Sequence, residues 1–179
     1  KDKNTASLVN VLPSDKPQDA YAVVARTATP FCPNSIRNHM DRKVVKRVVM
    51  TVPYNAKPFS NRGYIKDALL EKGIEIDKDD LTKTVIAVRN AMDEVVPGPM
   101  AVMSWIESEV AKAIDMGKTE LTWSTPSGFV VTQKLMKKDT IRMALQLMGD
   151  CKLTVATQDS DEVDKQHHKN ATAPNLIHS

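Results

Sequence analysis

The stretch from Arg42 to Tyr54, RKVVKRVVMTVPY, predicts a helix with two unlike faces. Residues at every fourth position share one slowly turning stripe, because four residues advance a helix about 40° past a full turn: Arg42, Lys46, Met50 and Tyr54. Two cations followed by an apolar and an aromatic side chain suit a ligand with phosphates, a sugar and a base. An amphipathic helix with its basic residues in water has the same spacing, and spacing alone favours that second interpretation.

The composition of the chain is that of a globular protein. Of its 179 residues, 41% are apolar and 26% are charged, and the formal net charge is +3, which is too small to establish a nucleic-acid partner by itself. A run of about 18 apolar residues, which a membrane-spanning helix needs, is absent from the sequence. Two cysteines, Cys32 and Cys151, favour a reduced compartment, so a cytoplasmic location is expected.

Helical periodicity dominates the first two thirds of the sequence. The predicted helices cover Asp15–Thr27, Ile36–Val52, 64–72, 84–96 and Met100–Met116. Ser14 is the expected N-cap of the first, Pro53 the stop of the second and Gly117 the C-cap of the last. Trp105 and the methionines at helical spacing are expected in the core.

Two β-hairpins are predicted between residues 119 and 157. In the first, Leu121 and Trp123 alternate with polar residues before a Thr125–Gly128 turn. In the second, apolar residues from Ile141 to Leu147 and from Leu153 to Val155 flank a Gly149-Asp150 turn, which would put Leu147 opposite Lys152. The second ribbon is either a projecting arm or a strand pair whose register a bulge corrects. The predicted fold class is α+β, mostly helical with two β-hairpins.

Four blocks of this sequence resemble the single-subunit RNA polymerases of bacteriophages and mitochondria. Arg-x3-Lys-Arg-x2-Met-Thr-x2-Tyr, from Arg42 to Tyr54, resembles motif B of that family. The other blocks are Val9–Ser14 with Gln18-Asp19-x-Tyr21, Trp123–Phe129 and Ala173–Ser179. Their order matches the family, so residues 1–179 are expected to be a fragment of the catalytic region. The resemblance implies the fingers and specificity-loop part of a right-hand polymerase fold, with residues 36–55 as the motif B helix.

The resemblance also implies roles for individual residues at the nucleotide. Lys46 corresponds to the active-site lysine that contacts the phosphates and protonates the departing pyrophosphate. Two arginines would hold the triphosphate, a tyrosine and a histidine would contact the ribose, and two apolar side chains would contact the template: Arg42, Arg47, Tyr54, His178, Met50 and Phe59. Phosphoryl transfer depends on positioning and charge neutralisation, which agrees with this set.

The second hairpin resembles the family's specificity loop, which reads promoter DNA. Arg142, Lys152 and Thr154 occupy the matching positions, and a two-stranded ribbon fits the major groove. The implied partners are DNA template and promoter, nascent RNA, nucleoside triphosphates and the remainder of the polymerase, with no membrane.

Two departures from the family pattern bear on the site. Asn55 stands where the family usually has glycine, and Pro53 is expected to end or kink the helix just before Tyr54. The aspartates that bind catalytic Mg²⁺ belong to motifs outside residues 1–179, so no metal site is expected here. The chain alone is therefore expected not to polymerise nucleotides.

Two other classes of protein share part of the pattern. Family-A DNA polymerases have Arg-x3-Lys-x7-Tyr, but they usually place phenylalanine at the position of Met50 and lack the block that begins at Ala173. A stand-alone nucleic-acid-binding module is the second alternative, and it would bind in a strongly salt-dependent way. The acidic residues from Asp159 to Asp164 lack an EF-hand pattern, and His167, His168 and Cys151 lack zinc spacing.

Overall fold

The computed structural model of the chain describes residues 2–145 and 151–179, which belong to two compact units, Lys1–Trp105 and Ile106–Ser179. The helices of the first unit are α1 (Lys3–Leu8), α2 (Ala20–Ala28), α3 (Asn34–Arg37), α4 (Arg42–Thr51), α5 (Pro58–Leu70) and α6 (Lys78–Val95). Helix α7 (Pro97–Asp115) runs across the boundary between the units. The second unit contains β1 (Leu121–Ser124), β2 (Val130–Gln133), β3 (Met136–Leu145), β4 (Cys151–Val163) and α8 (Lys165–His178).

The described chain is therefore mostly helical, with two small antiparallel sheets, as the sequence predicts. Within residues 2–145 and 151–179, no helix combines the length and apolar character needed to cross a bilayer.

The core of the first unit lies between α2, α4, α5 and α6. Each helix turns one aliphatic stripe inward, at the 3.6-residue period that the sequence shows. The fully buried aliphatic residues of this core are Val24, Ala28, Ile36, Val44, Val45, Val48, Ile65, Leu69 and Val88. This core fixes α4, and with it the stripe of residues that the sequence singles out.

The predicted start of the helix over Ile36–Val52 is wrong. Helix α3 ends at Arg37, and α4 begins afresh at Arg42. Asp41 separates them, because its carboxylate accepts the backbone N–H groups of Lys43 (3.0 Å) and Val44 (3.2 Å) as an N-cap.

The end of α4 agrees with the prediction. The α-helix stops at Thr51, and Val52–Tyr54 form a 3₁₀ turn that contains Pro53. Asn55 then adopts the left-handed conformation, with φ of 66°. Asparagine tolerates this conformation better than other non-glycine residues, so it can replace the glycine expected at this position.

Ser14 does not cap α2, contrary to the prediction. The helix begins at Ala20, where Asp19 accepts the N–H of Ala22 at 3.1 Å, while the Ser14 hydroxyl bonds the carbonyl of Lys16. Pro17 explains the difference, because proline disfavours helical backbone in the residue before it. The loop before α2 is held by Asn10, whose side-chain amide exchanges two hydrogen bonds with the backbone of Gln18 (2.7 and 2.9 Å).

The remaining helices begin earlier than predicted, at Pro58, Lys78 and Pro97. Gly117 closes α7 as expected, with φ of 89° and its N–H bonded to the carbonyl of Ile114. Trp105 is 62% exposed, so its expected place in the core is wrong for the described chain. Its neighbour on the helix, Met103, is buried.

The first predicted hairpin is confirmed. Trp123 pairs with Val131 across β1 and β2, and Gly128 has φ of 84° in the turn between them. Helix α8, which the sequence did not predict, follows the second hairpin and is capped by Asp164, whose carboxylate accepts the N–H of His167 at 2.8 Å.

The second hairpin forms with a different register from the one predicted. Ala144, not Leu147, lies opposite Lys152, and the predicted Gly149-Asp150 turn lies outside the described residues. Register shifts occur between Met136 and Lys138 and between Asp139 and Thr140. Beyond them, alternate positions place the apolar residues on one face of the ribbon, where they are 40–55% exposed: Ile141, Met143, Leu153 and Val155.

Replacing Asp41 by alanine should destabilise the first unit. We expect the free energy of unfolding to fall by about 1 kcal/mol, the usual contribution of such a cap. Burial opposes ionisation of Asp41, but the Lys72 ammonium and two backbone amides outweigh it and hold the pKa of this carboxyl below its usual value. The stabilisation is therefore complete above about pH 4 and is lost as the pH falls through the lowered pKa.

Urea unfolding of the two proteins at pH 7 and again near pH 3 measures this difference. The matched control is Asp15→Ala, because Asp15 is exposed and has no hydrogen bond or ion pair within the described residues. The capping role would be contradicted if Asp41→Ala and Asp15→Ala lost equal unfolding free energy relative to the wild type. It would also be contradicted if the loss in Asp41→Ala were the same at pH 7 and at low pH.

Candidate functional site

Helix α4 is divided into a buried valine face and an exposed cationic face. Val44, Val45 and Val48 have no solvent exposure, and they pack in the core of the first unit. The side chains of the opposite face are all exposed: Arg42, Lys43, Lys46, Arg47 and Met50. Exposing the valines would lose the free energy of their burial, so the valine face stays in the core. The cations lie on the opposite face of the same helix and therefore face the solvent.

Three of the four cations on this face have acidic partners. Arg42 Nε lies 2.9 Å from Asp19 Oδ2, and the guanidinium stacks 5.1 Å from the ring centre of Tyr21. The other two ion pairs join α4 to the carboxyl-terminal end of α5. Lys43 pairs with Glu71, the C-cap residue of α5, at 2.9 Å, and Arg47 pairs with Asp67 at 3.9 Å.

The α5 partners are spaced to match α4. Lys43 and Arg47 are four residues apart, and so are Asp67 and Glu71, so each pair lies on one face of its own helix. The Arg47 guanidinium also lies 4.6 Å from the ring centre of Tyr64. A hydrogen bond from Lys43 lowers the pKa of Glu71, and the same bond raises the pKa of Lys43. Glu71 is therefore ionised near pH 7 and already paired with Lys43.

Lys46 is the cation of this face for which residues 2–145 and 151–179 provide no partner. Within the part of the chain that the structure describes, its ammonium makes no ion pair or hydrogen bond, although it lies between Arg42 and Arg47 on the same helix. The nearby acids are engaged elsewhere, so the electrostatic environment of Lys46 is one of positive neighbours and exposed solvent. Such a position attracts a multiply charged anion.

The predicted stripe lies beside two depressions in the surface of the first unit. Arg42 and Tyr54 line a cleft of about 770 Å³ whose other walls include Tyr21. Lys46 and Arg47 line a smaller one of about 330 Å³. Met50, which is 49% exposed, lines both, so the stripe forms the ridge between them. The larger cleft has a mostly apolar wall and a guanidinium at one edge, which suits a base and sugar next to phosphates.

Tyr54 and Phe59 are exposed, as a ligand-contacting role requires. Tyr54 is 59% exposed at the end of the 3₁₀ turn, and Phe59 is 84% exposed in the first turn of α5. Both belong to the first unit, together with the cations of α4.

The remaining predicted site residues belong to the second unit. His178 is the last residue of α8 and lines a depression of about 530 Å³ that Trp123 and Asn175 also line. Arg142 lies directly opposite Thr154 in the second hairpin, and both are exposed. Lys152 lies in β4, opposite Ala144.

A buried polar network holds α8 against the first hairpin. His168 has no solvent exposure, and its Nε2 accepts the backbone N–H of Leu135 at 3.0 Å. Gln133 donates to the Thr172 hydroxyl at 2.7 Å and accepts from the Asn175 side chain at 2.8 Å. Burial lowers the pKa of His168, and the neighbouring His167 adds to this effect, so the imidazole is neutral near pH 7. This network fixes the helix that ends at His178.

Sequence reasoning missed the residues that orient the cations. Asp19, Asp67 and Glu71 give the site its geometry, and nothing in motif spacing marks Asp19 as a partner of Arg42. The matched four-residue spacing of Asp67 and Glu71 was a usable signal for the other two pairs. Among the described residues, no group of three or more histidine, cysteine, aspartate or glutamate side chains is arranged to hold a metal ion.

The comparison with protein families identifies the class of protein. The family described as DNA-dependent RNA polymerase matches residues 1–179, so this chain belongs to the single-subunit DNA-dependent RNA polymerase family. Of the two polymerase families considered from the sequence, the match is to the RNA polymerase family and not to the family-A DNA polymerases.

Plant organellar polymerases are among the relatives of this chain. It is 29% identical over 204 residues to DNA-directed RNA polymerase 1B, mitochondrial, of Nicotiana tabacum, which covers all of this chain and 19% of the relative. It is 28% identical over 202 residues to DNA-directed RNA polymerase 2A of the same species, covering all of this chain and 58% of the relative. It is 29% identical to the chloroplastic polymerase 3 of Nicotiana sylvestris, covering 20% of it. The chain thus spans about a fifth of the length of the first and third relatives.

Proposed function

We propose that this chain supplies the nucleotide-binding fingers and the promoter-reading loop of a DNA-directed RNA polymerase with the right-hand fold. In this proposal α4 is the motif B helix. The observation that carries it is Lys46, the cation of α4 that lies unpaired among the described residues while its neighbours are held in ion pairs. Family membership supports the reaction, and the exposed cationic face supports the place of the substrate.

Three cations of α4, Arg42, Lys46 and Arg47, bind the triphosphate of the incoming nucleotide. Lys46 contacts the phosphates directly and donates a proton to the departing pyrophosphate, while Arg42 and Arg47 stabilise the remaining negative charge. The ion pairs with Asp19 and Asp67 hold the two guanidinium groups in place before the nucleotide arrives. Groups held in position beforehand need no reorganisation in the transition state, which is the main source of electrostatic catalysis.

The other end of the stripe contacts the sugar and the template. Tyr54 contacts the ribose, with His178 as a second contact, and Met50 and Phe59 lie against the template base and its downstream neighbour. The support is the exposure of these three first-unit side chains, two of which, Met50 and Tyr54, line the cleft of about 770 Å³. In this proposal the complete enzyme would also use Mg²⁺, which would supply neutralisation of the phosphate charge.

The second hairpin reads promoter DNA in the major groove. Arg142 and Thr154 form an exposed cross-strand pair, and Lys152 lies two residues before Thr154 in β4, opposite Ala144. Arginine and lysine are the commonest partners of guanine in that groove. The partners of the complete enzyme are then promoter and template DNA, nascent RNA, nucleoside triphosphates and the rest of the polymerase.

The cytoplasmic location inferred from the sequence, in a bacterial host if the gene is carried by a phage, stays a proposal. Two of the relatives named above are mitochondrial or chloroplastic polymerases.

In the complete polymerase, Lys46→Ala should lower turnover about 100-fold or more, the usual cost of one well-placed donor in the transition state. Promoter binding should be nearly unchanged, because the substitution lies in the nucleotide site. The matched control is Lys43→Ala, which removes an equal charge from the same helix but breaks only the exposed pair with Glu71. Single-turnover incorporation and promoter binding measured on both variants check this. If Lys46→Ala and Lys43→Ala lowered turnover equally, Lys46 would have no specific role at the phosphates.

Replacing Tyr54 by phenylalanine should weaken sugar selection while activity persists. The ring is retained, so contact with the nucleotide survives, but the hydroxyl that takes part in recognising the ribose 2′-OH is lost. Incorporation of ribonucleotides against deoxynucleotides at matched concentrations measures the effect. Tyr64→Phe, which removes the hydroxyl of another tyrosine of the first unit and keeps its ring beside Arg47, is the control. A ribo-to-deoxy ratio that stays at the wild-type value would exclude Tyr54 from this role.

Arg142→Ala in the complete polymerase should reduce discrimination between promoters that differ at the contacted base by about 1–3 kcal/mol. Elongation from a primed template without a promoter should be unaffected. Lys138→Ala is the control. Lys138 lies in the same strand, opposite Asp159, and the substitution removes the same charge as Arg142→Ala. Competition between two promoters distinguishes the variants. A uniform loss of affinity for all DNA in both would indicate a non-specific charge contribution instead.

A further inference from the structure

The backbone just after Tyr54 is held in an unusual conformation. Asn55 has φ of 66°, its N–H bonds the carbonyl of Val52 at 2.8 Å, and the N–H of Ala56 bonds the carbonyl of Thr51 at 3.1 Å. These two bonds join the turn to the end of α4. The position of the Tyr54 side chain depends on where this turn is anchored.

Arg89, a residue of α6, anchors the turn from another helix. Its Nη1 donates to the carbonyl of Ala56 at 3.1 Å and to Oδ1 of Asn61 at 2.8 Å. Within the described residues, the Arg89 guanidinium makes no ion pair with a carboxylate, so its interactions here are with two neutral oxygens. A charged donor strengthens a bond to a neutral carbonyl, and one nitrogen joins α6, α5 and the turn.

The side-chain amide of Asn61 is held in an orientation that leaves a buried hydrogen-bond donor without a partner among the described residues, which lowers the stability of the fold. Its side chain has no solvent exposure, and its Nδ2 has no hydrogen-bond partner among the described residues. Rotating the amide would not help, because the NH₂ group would then point at the guanidinium of Arg89. A buried donor without a partner is rare and needs a reason. Here the reason is that Oδ1 must accept from Arg89.

We propose that Arg89 is a positioning residue for sugar selection: through the carbonyl of Ala56 it fixes the turn that carries Tyr54. This inference rests on the proposed role of Tyr54 at the ribose. A hydrogen-bonding group must be held within a fraction of an ångström to distinguish a 2′-hydroxyl from hydrogen. Loosening the turn therefore relaxes discrimination before it abolishes catalysis.

The test compares Arg89→Met with a matched control in the complete polymerase. The control is Arg62→Met, because Arg62 also joins α5 to α6, through a 3.0 Å bond to the Thr82 hydroxyl, but does not contact the turn. Arg89→Lys is the conservative variant, since its ammonium carries enough donors for both oxygens. Two properties are measured: the ribo-to-deoxy incorporation ratio and the hydrogen exchange of the Asn55 and Ala56 amides.

We expect Arg89→Met to lower the ribo-to-deoxy ratio by about fivefold, within the usual range for substitutions that act through another residue. Exchange of the two amides should become faster in this variant, while Arg62→Met and Arg89→Lys stay close to wild type. In the double variant with Tyr54→Phe, the ratio should equal that of Tyr54→Phe alone, because both changes remove the same discrimination. Asn61→Ala, which removes the acceptor that orients Arg89, should lower the ratio in the same direction.

Two outcomes overturn the proposal, and they differ in what else they overturn. If Tyr54→Phe lowers the ratio but Arg89→Met and Asn61→Ala leave it unchanged, or if the double variant shows additive losses, Arg89 does not act through Tyr54 and the ribose role stands. If Tyr54→Phe itself leaves the ratio unchanged, the ribose role fails and the role of Arg89 fails with it. The exchange measurement reports on the anchoring of the turn in either case.

Discussion

Burial of one face of α4 is the constraint on which the rest of the first unit depends. Val44, Val45 and Val48 are fully buried, and each such side chain contributes about 1.5–3 kcal/mol relative to exposure. Valine is a mediocre helix former, so this helix owes its stability to packing and to the Asp41 cap more than to propensity. With the valines fixed inward, the cations are fixed outward. Asp19, Asp67 and Glu71 pair with three of them, and among the described residues Lys46 has no such partner.

Much of the fold followed from periodicity, and the errors have local causes. The end of α4 near Pro53 and the turn at Gly128 were predictable because proline and glycine act within a few residues. The predicted start of the first helix at Ser14 was wrong because Pro17 disfavours helical backbone before it, and α2 begins only at Ala20. A bulge that shifts the hairpin register was one of the two expectations for the second ribbon, and register shifts occur near its base, although the sequence does not give their positions. Trp105 is exposed although its spacing is that of a core residue.

The candidate site was predictable as a stripe but not as an electrostatic arrangement. Spacing puts Lys46 among the exposed cations. The spacing of Asp67 and Glu71 is compatible with pairing to Arg47 and Lys43, but the fold is needed to show that these pairs form and that Lys46 is left unpaired among the described residues. The bond from Arg89 to the carbonyl of Ala56 joins residues far apart in sequence through a backbone atom. No side-chain pattern encodes such a contact.

The central claim is that Lys46 is kept available for the phosphates of a nucleotide. Amine-selective labelling of the complete polymerase, followed by peptide mass mapping, tests it most directly, because Lys46 and Lys43 are both exposed on one helix. The account predicts that Lys46 is labelled in the free enzyme and strongly protected by saturating nucleoside triphosphate, while labelling of Lys43 is little changed. Labelling of Lys46 that is equal with and without nucleotide would contradict the account.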